Sequence, residues 1–221
     1  MKKAVLALAV VATASASAAF AQDLPPKFAI DITAQEITDV LKNAPPKVDQ
    51  MLKVVDIGKY NLGVGVIYRG KTVERPAGAA PAGGGRANPN RVACGPDTAP
   101  AGAKLSPPGL ISHDAELETY QIISGEGTLV TGGTIFHGSR SAPDSEVTKI
   151  LNGPSCSGQA FGDFVSREVH VGDVVIIPPG VAHGWTGIKD HVTYLSVRPD
   201  PDHVLPAGYV NPTIVADEKK K

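Results

Sequence analysis

The stretch that decides the fold is GDVVIIPPGVAH, residues 172–183. Its apolar centre, VVII, lies between Gly172-Asp173 and Pro178-Pro179-Gly180, and residues of these types form tight turns. A short β-branched run between two turns predicts a strand. The second turn places His183 at the start of the next predicted strand, and Trp185, two residues further on, shares its face.

A second stretch, HDAELETYQIISGEG at residues 113–127, places a histidine, three acidic residues and a tyrosine ahead of its first glycine, Gly125. Because side chains alternate along a strand, Glu118, Tyr120 and Ile122 are predicted to face one side together. If that side is the interior of a barrel, a carboxylate and a phenol both lie inside. Asp114 and Glu116 are expected to face solvent.

The segment from residue 117 onward consists of short β-rich runs separated by turn residues: YQII, GTLVT, GTIF, VVIIPPG and VTYLSV. Such regularly interrupted strands are typical of an antiparallel sandwich or barrel. The segment NGPSCSGQAFG, residues 152–162, is predicted to interrupt the series as a loop that holds Cys156.

Taken in order, the two stretches resemble the two motifs of the cupin superfamily, G-x5-H-x-H-x3,4-E-x6-G and G-x5-P-x-G-x2-H-x3-N. The resemblance covers about residues 109–197 and implies an all-β fold, a cupin-type double-stranded β-helix (jelly-roll) barrel with an N-terminal helix and strand arm. The second motif departs from the family only at its last position, where Gly187 replaces Asn. The first departs at two positions, where Leu105 replaces the leading glycine and Ile111 the first histidine.

This resemblance implies a metal site made by His113, Glu118 and His183. Imidazole and carboxylate ligands suit a divalent ion such as Fe, Mn, Zn or Ni, and two histidines with one carboxylate are enough to hold one. The alternative is a barrel without metal, in which these side chains bond to one another or to a ligand.

Three further residues are predicted near the site. Tyr120 is the candidate catalytic acid or base, and Tyr120 and Trp185 are expected in the wall of the substrate pocket, with plain core packing as the alternative. Arg198, at the end of the run VTYLSV, is expected either to meet an anionic substrate at the barrel mouth or to form an exposed salt bridge.

The N-terminus has the pattern of a secretory signal. Lys2 and Lys3 precede an apolar run, and the sequence AFA at 19–21 is a typical cleavage site, so residues 1–21 are predicted to be a signal peptide; a retained membrane anchor is the alternative. The predicted location is periplasmic or secreted. In that oxidising compartment, Cys94 and Cys156 are expected to form a disulfide rather than remain two free buried thiols.

The remaining chain divides into four predicted parts. Residues 22–75 form an arm with a helix over 31–41, begun by a capping box of Thr33 and Glu36, and a strand over 60–68. Residues 76–108, two thirds of which are Gly, Ala or Pro, form a long loop or a lid. The barrel spans 109–200, and 201–221 is a C-terminal tail.

Composition and motifs narrow the function. The formal net charge of −1 becomes about −3 when the two lysines of the signal are removed, and no basic stripe remains, which argues against nucleic acid as a partner. No membrane association is expected after signal removal. The motifs of serine hydrolases, nucleotide enzymes and zincins are absent from the sequence.

The resemblance therefore favours an exported, metal-dependent cupin that acts on a small oxygen-bearing molecule as a lyase, isomerase or dehydratase. Two alternatives are an iron-dependent dioxygenase and a non-catalytic cupin that binds a small molecule or sugar. The resemblance also implies a homodimer.

Overall fold

The computed structural model describes residues 26–43, 47–73 and 92–218. The predicted signal peptide, residues 74–91, which include residues 76–91 of the predicted loop or lid, and the last three residues lie outside the described residues. Within the described ranges, two helices, ten strands and one π-helical turn follow one another. They are α1 Ala34–Asn43, β1 Asp49–Asp56, β2 Asn61–Gly70, β3 Ala93–Cys94, β4 Leu110–His113, β5 Glu118–Gly125, β6 Gly127–Arg140, the π-helical turn Val147–Leu151, β7 Ser155–Val169, β8 Val174–Ile177, β9 His183–Thr186, β10 His191–Asp200 and α2 Pro212–Glu218.

The ten strands form two antiparallel sheets of five. The order in the first is β1-β2-β10-β5-β8 and in the second β3-β6-β7-β4-β9, with β6 also pairing with β9. One apolar cluster between the sheets takes side chains from both, including Tyr120, Ile122 and Tyr194 from the first and Leu129 and Val169 from the second. This is the all-β, double-stranded β-helix barrel that the resemblance to the cupin motifs implies.

The N-terminal segment carries the predicted helix and contributes two strands to the first sheet. At the start of α1 the capping box is present, because the Thr33 amide donates to Glu36 Oε2 at 2.7 Å and the Glu36 amide donates to Thr33 Oγ1 at 3.2 Å. Val40 of α1 and Ile214 of α2 pack on the outer face of the sheet, against Leu52 and Val66. Within the described residues, no helix combines the length and the apolar character needed to cross a membrane.

Two sequence-based predictions, one of separate strands and one of a loop, are wrong in detail. The runs GTLVT and GTIF belong to one strand, β6, because its register shifts at Gly132 and Gly133 rather than ending there. Both glycines have positive φ angles of 102° and 80°, which only glycine adopts without strain, so they form a bulge. The predicted loop 152–162 is shorter, since β7 begins at Ser155 and pairs with both β4 and β6.

The disulfide between Cys94 and Cys156 is confirmed. It joins β3 to β7, the two strands on either side of β6, and it lies against Gly138 of β6. A Cβ atom at Gly138 would come within 2.8 Å of Cys156 Sγ. Glycine at this position therefore leaves room for the bond.

Candidate metal centre

The three predicted metal ligands lie together where the two sheets face each other. His113 ends β4 and His183 begins β9, neighbouring strands of the second sheet, whereas Glu118 begins β5 of the first. Glu118 Oε2 lies 3.2 Å from His113 Nε2 and 3.0 Å from His183 Nε2. Each of the three offers one ligand atom within 4.8 Å of the others, and all three side chains are buried.

The Glu118 carboxylate is surrounded by hydrogen-bond donors. Oε1 accepts from Asn152 Nδ2, Ser196 Oγ and Arg198 Nε at 3.1, 2.9 and 3.0 Å, and Oε2 accepts from the Tyr120 hydroxyl at 2.8 Å. Burial alone would raise the pKa of Glu118, but Arg198 and the two imidazoles hold it well below its usual value. The side chain is therefore a carboxylate at neutral pH.

Hydrogen bonds on the far side of each imidazole determine which nitrogen carries the proton. Ser155 Oγ donates to the Gly153 carbonyl, so it accepts from His113 Nδ1 at 2.8 Å. His183 Nδ1 faces the Val181 carbonyl at 3.0 Å, which can only accept. Each neutral ring therefore presents the lone pair of Nε2 to Glu118 Oε2. For His113 burial lowers the pKa, although Glu118 opposes the shift, which favours the neutral ring.

This arrangement fits a metal ion. Two imidazole lone pairs and one carboxylate oxygen converge, and a cation between them, either a proton or a metal, would offset their repulsion. Bonds of about 2.1 Å to a common ion at right angles would separate the donor atoms by roughly 3 Å. The 3.0 and 3.2 Å separations match that value. The Nδ1 hydrogen bonds to Ser155 and to a backbone carbonyl are the supporting contacts that metal-bound histidines usually make.

Arg198 does not occupy either of its two predicted environments. It is 1% exposed, so it neither reaches the barrel mouth nor forms a surface ion pair. Besides Glu118, its guanidinium donates to the Leu151 carbonyl at 2.9 Å and to Asp49 Oδ2 at 2.7 Å. Gly65 of β2 makes room for this group, because a Cβ there would lie 3.3 Å from Arg198 Nη1. The prediction failed because Pro199 at the end of the run indicated a strand end and hence exposure, whereas β10 continues to Asp200.

Tyr120 and Trp185 belong to one aromatic group with Tyr194. The Tyr120 ring lies edge-on to His183 and 4.3 Å from the Tyr194 ring, centroid to centroid. Trp185 stacks on Tyr194 at 5.1 Å and donates to its hydroxyl at 3.1 Å. Tyr120 thus borders the three predicted ligands, whereas Trp185 is one ring further away, half-buried beside a surface depression. Burial raises the pKa of Tyr120 well above its usual value, and the Glu118 carboxylate adds to the shift, so Tyr120 keeps its proton.

Glu116 was predicted to face solvent, and that prediction is wrong: its side chain is only 1% exposed. Glu116 lies two residues before Glu118, the first residue of β5, so its side chain is on the same inner face as that of Glu118. Its carboxyl group lies against Gly153. Asp114, by contrast, is exposed as expected and pairs with Arg140.

Sequence reasoning missed three residues that contact the site: Asn152, Ser155 and Ser196. Side chains alternate along β10, so Ser196 and Arg198 share a face, and the position of Ser196 could have been predicted from that alternation. Asn152 and Ser155 lie in or next to a segment that looked like an ordinary loop, and no local signal distinguishes them. The histidines at 137, 170 and 203 are exposed and His191 is half-buried; all four lie outside the cluster.

No protein-family model and no curated protein matches the chain. Similar solved structures include the DMSP lyase DddQ from Ruegeria pomeroyi DSS-3, at 14% identity and a TM-score of 0.32 over 64% of this chain and 39% of that one. An oxalate oxidase is 14% identical, with a TM-score of 0.31 over 76% of this chain and 57% of that one. A cupin 2 conserved barrel domain protein from Rhodopseudomonas palustris is 14% identical, with a TM-score of 0.27 over 78% and 83%. The chain thus spans less than two thirds of the length of the first two.

Proposed function

We propose that this member of the cupin superfamily binds a divalent transition metal, Fe, Mn, Zn or Ni, through His113, Glu118 and His183. The observation that carries the proposal is the convergence of two Nε2 lone pairs on Glu118 Oε2 at 3.2 and 3.0 Å, with both Nδ1 atoms already bonded elsewhere. A divalent cation accepts all three donors at once, whereas the Tyr120 hydroxyl bonds only Glu118 Oε2 and Asn152 Nδ2 bonds only His113 Nε2 among them.

We further propose that the protein is a lyase, isomerase or dehydratase acting on a small oxygen-bearing molecule. A bound divalent ion supplies Lewis acidity, which polarises a substrate oxygen and favours developing negative charge. Tyr120 is the nearest hydroxyl, 2.8 Å from the carboxylate, and its raised pKa keeps it protonated at neutral pH, so it has a proton to donate and cannot act as a base. The proposal therefore assigns it the role of acid.

The first experiment is metal analysis of purified protein, before and after reconstitution. His183→Ala and Glu118→Gln should each lose stoichiometric metal, because each removes one of three donors. His170→Ala is the matched control, since His170 is exposed and lies outside the cluster. Wild-type protein that neither contains metal nor takes it up, or equal metal content in all four proteins, would overturn the proposal.

An iron-dependent dioxygenase is the second candidate, and the donor set favours it, because two histidines and one carboxylate form the site typical of non-haem iron oxygenases. Oxygen consumption by the Fe²⁺-loaded protein with a panel of phenols and thiols separates it from the first. Substrate-dependent uptake would favour the dioxygenase, whereas turnover without oxygen favours the lyase class.

A non-catalytic cupin that binds a small molecule or sugar is the third candidate. The observation in its favour is that His113, Glu118, Tyr120 and His183 are each less than 5% exposed. Ligand-induced stabilisation without turnover of any ligand would support it. Export and the homodimer remain predictions, which fractionation of cells and the mass of the protein in solution would test.

A further inference from the structure

Asn152 brings a fourth polar side chain to the centre. Its side chain is buried, and Nδ2 lies 3.2 Å from His113 Nε2 and 3.1 Å from Glu118 Oε1. The distance from Asn152 Nδ2 to His113 Nε2 is therefore close to those that join the predicted ligands, which are 3.0 Å from His183 Nε2 and 3.2 Å from His113 Nε2 to Glu118 Oε2. The carboxamide occupies the same kind of position as the other donors.

The backbone around Asn152 holds this position. Asn152 follows directly on the π-helical turn Val147–Leu151, and its amide donates to the Val147 carbonyl at 2.8 Å. On one side the Leu151 carbonyl accepts from Arg198, and on the other the Gly153 carbonyl accepts from Ser155 Oγ. These two partners also bond Glu118 and His113, so the same contacts fix both the ligands and Asn152. Single π-helical turns are frequent at functional sites.

We propose that Asn152 is a fourth protein ligand of the metal, through Oδ1, and takes the place of the imidazole that is missing at Ile111. This inference rests on the proposed metal site. In the arrangement described, the Nδ2 donor satisfies the lone pair of His113. Half a turn about the last side-chain bond exchanges nitrogen and oxygen at almost the same positions, which gives up the bond to Glu118 Oε1 and leaves a carbonyl oxygen 3.2 Å from His113 Nε2. A cation favours that oxygen over an N–H group.

The consequence is a site with two nitrogen and two oxygen donors from the protein. A carboxamide oxygen is a neutral donor that suits the harder ions of the series, such as Mn²⁺ and Fe²⁺, better than soft ones. It also leaves the net charge of the centre unchanged, since Glu118 remains the only anionic ligand.

The test compares wild type with Asn152→Leu and Asn152→Asp, using Mn²⁺ as the probe. Binding is titrated by electron paramagnetic resonance, and the number of water molecules on the bound ion is measured by water-proton relaxation. Loss of the ligand in Asn152→Leu should weaken binding at least about tenfold and add about one bound water. Asn152→Asp keeps an oxygen at the same position, so it should bind Mn²⁺ at least as tightly as wild type with no added water.

Asn211→Leu is the matched control, because Asn211 is also buried and donates to a backbone carbonyl, that of Met51, away from the centre. Its Mn²⁺ affinity and water number should equal those of wild type. Asn152→Asp keeps the test valid if the leucine variant does not fold. Weaker Mn²⁺ binding by Asn152→Asp than by wild type, or one more water on its bound ion, would overturn the inference. Wild-type protein that binds no divalent ion would instead overturn the proposed function, and this inference with it.

Discussion

At the scale of single residues, the interior of this barrel is defined by charged groups that have no access to water. Arg198 is the central one, because it donates to buried or half-buried acceptors on three other segments, Glu118, the Leu151 carbonyl and Asp49, as well as to Ser196 of its own strand. Burial alone would lower the pKa of Arg198, but Asp49 and Glu118 raise it above its usual value, so it stays charged. Its positive charge is what allows Glu118 to remain an anion inside the protein.

Replacement of Arg198 should therefore be costly. We expect Arg198→Met to lower the free energy of unfolding by about 3–5 kcal/mol, because two carboxylates lose a buried partner. Arg140→Met is the control: Arg140 pairs with Asp114 at the surface, and its loss should cost less than about 1 kcal/mol. Urea denaturation of the three proteins measures both values, and similar costs for the two variants would contradict the burial argument.

Glu116 should make the stability depend on pH. Burial raises its pKa to about 7 against the opposing effect of its own backbone amide, Asp200 adds to the shift and Arg198 opposes it, and neither carboxyl oxygen has a hydrogen-bond partner on another of the described residues. Between the usual value of 4.5 and 7, the folded state binds more protons than the unfolded state. The free energy of unfolding contributed by this group therefore falls as pH rises through that window and is fully lost above it.

The corresponding variant is Glu116→Gln, which cannot ionise. Measured in protein stripped of metal, its stability relative to wild type should improve between pH 4.5 and pH 8 by roughly 1–3 kcal/mol. The comparison removes the contributions of all other titrating groups. Parallel pH profiles for the two proteins would show that Glu116 does not titrate in this window.

At the scale of elements, the three predicted metal ligands come from the ends of strands rather than from their centres. β4 delivers its last residue, His113, whereas β5 and β9 deliver their first, Glu118 and His183. On the outer face of the first sheet, α1 is fixed by its capping box and by the ion pair of Glu36 with Lys53 of β1 at 2.8 Å. This pair connects the helix to the strand whose other end carries Asp49, the partner of Arg198.

The N-terminus of α1 provides a test at this scale. Glu36→Ala should cost about 0.5–2 kcal/mol near pH 7, because it removes one half of the capping box and the partner of Lys53. Burial would raise the pKa of Glu36, but the bonds to Lys53 and Thr33 lower it below 4.5. The contribution is thus present above pH 4.5 and lost as the pH falls through the lowered pKa. The cost of the variant should shrink in acid.

The control for that variant is Gln35→Ala, in the same turn of the helix. Gln35 is exposed and bonds only to Asp39 within the helix. Its replacement should change the free energy of unfolding by less than about 0.5 kcal/mol at any pH. A cost for Glu36→Ala that is the same at pH 7 and pH 3 would argue against the ionised capping box.

At the scale of the whole molecule, the two sheets contribute different chemistry to one centre. The second sheet supplies both imidazoles and the first supplies the carboxylate, the guanidinium and the phenol. The separation of the sheets therefore determines whether these groups meet. The Cys94–Cys156 disulfide stabilises the second sheet close to this point, because Cys156 is adjacent to Ser155, which bonds His113.

Removal of this disulfide should destabilise the fold. The two cysteines are 62 residues apart, and closing a loop of that length in the unfolded chain stabilises a protein by about 2–4 kcal/mol. The double variant Cys94→Ala, Cys156→Ala should lose that amount in urea denaturation. Reduction should lower the stability of wild type towards that of the double variant and leave the double variant unchanged; equal stability of oxidised and reduced wild type would contradict the prediction.

The sequence by itself determined what depends on short-range periodicity. The alternation from Glu118 to Ile122, the turns around residues 174–177, the capping box at Thr33 and the pairing of two cysteines all follow from neighbours or from simple counts. These patterns are local because a strand repeats every two residues and a turn needs only a few, so they persist without knowledge of the fold.

Only the tertiary structure decided which polar groups share the interior. Arg198 meets Glu118 and Asp49 across 80 and 149 residues, and Asn152 meets His113 across 39. Glu116 precedes the strand in sequence but lies on its inner face, covered by the segment at Gly153. Such contacts depend on how the sheets pack and which loop covers them. The residues next to a charged group in sequence do not predict these contacts, because the energy of a buried charge depends on the partners that the fold brings to it.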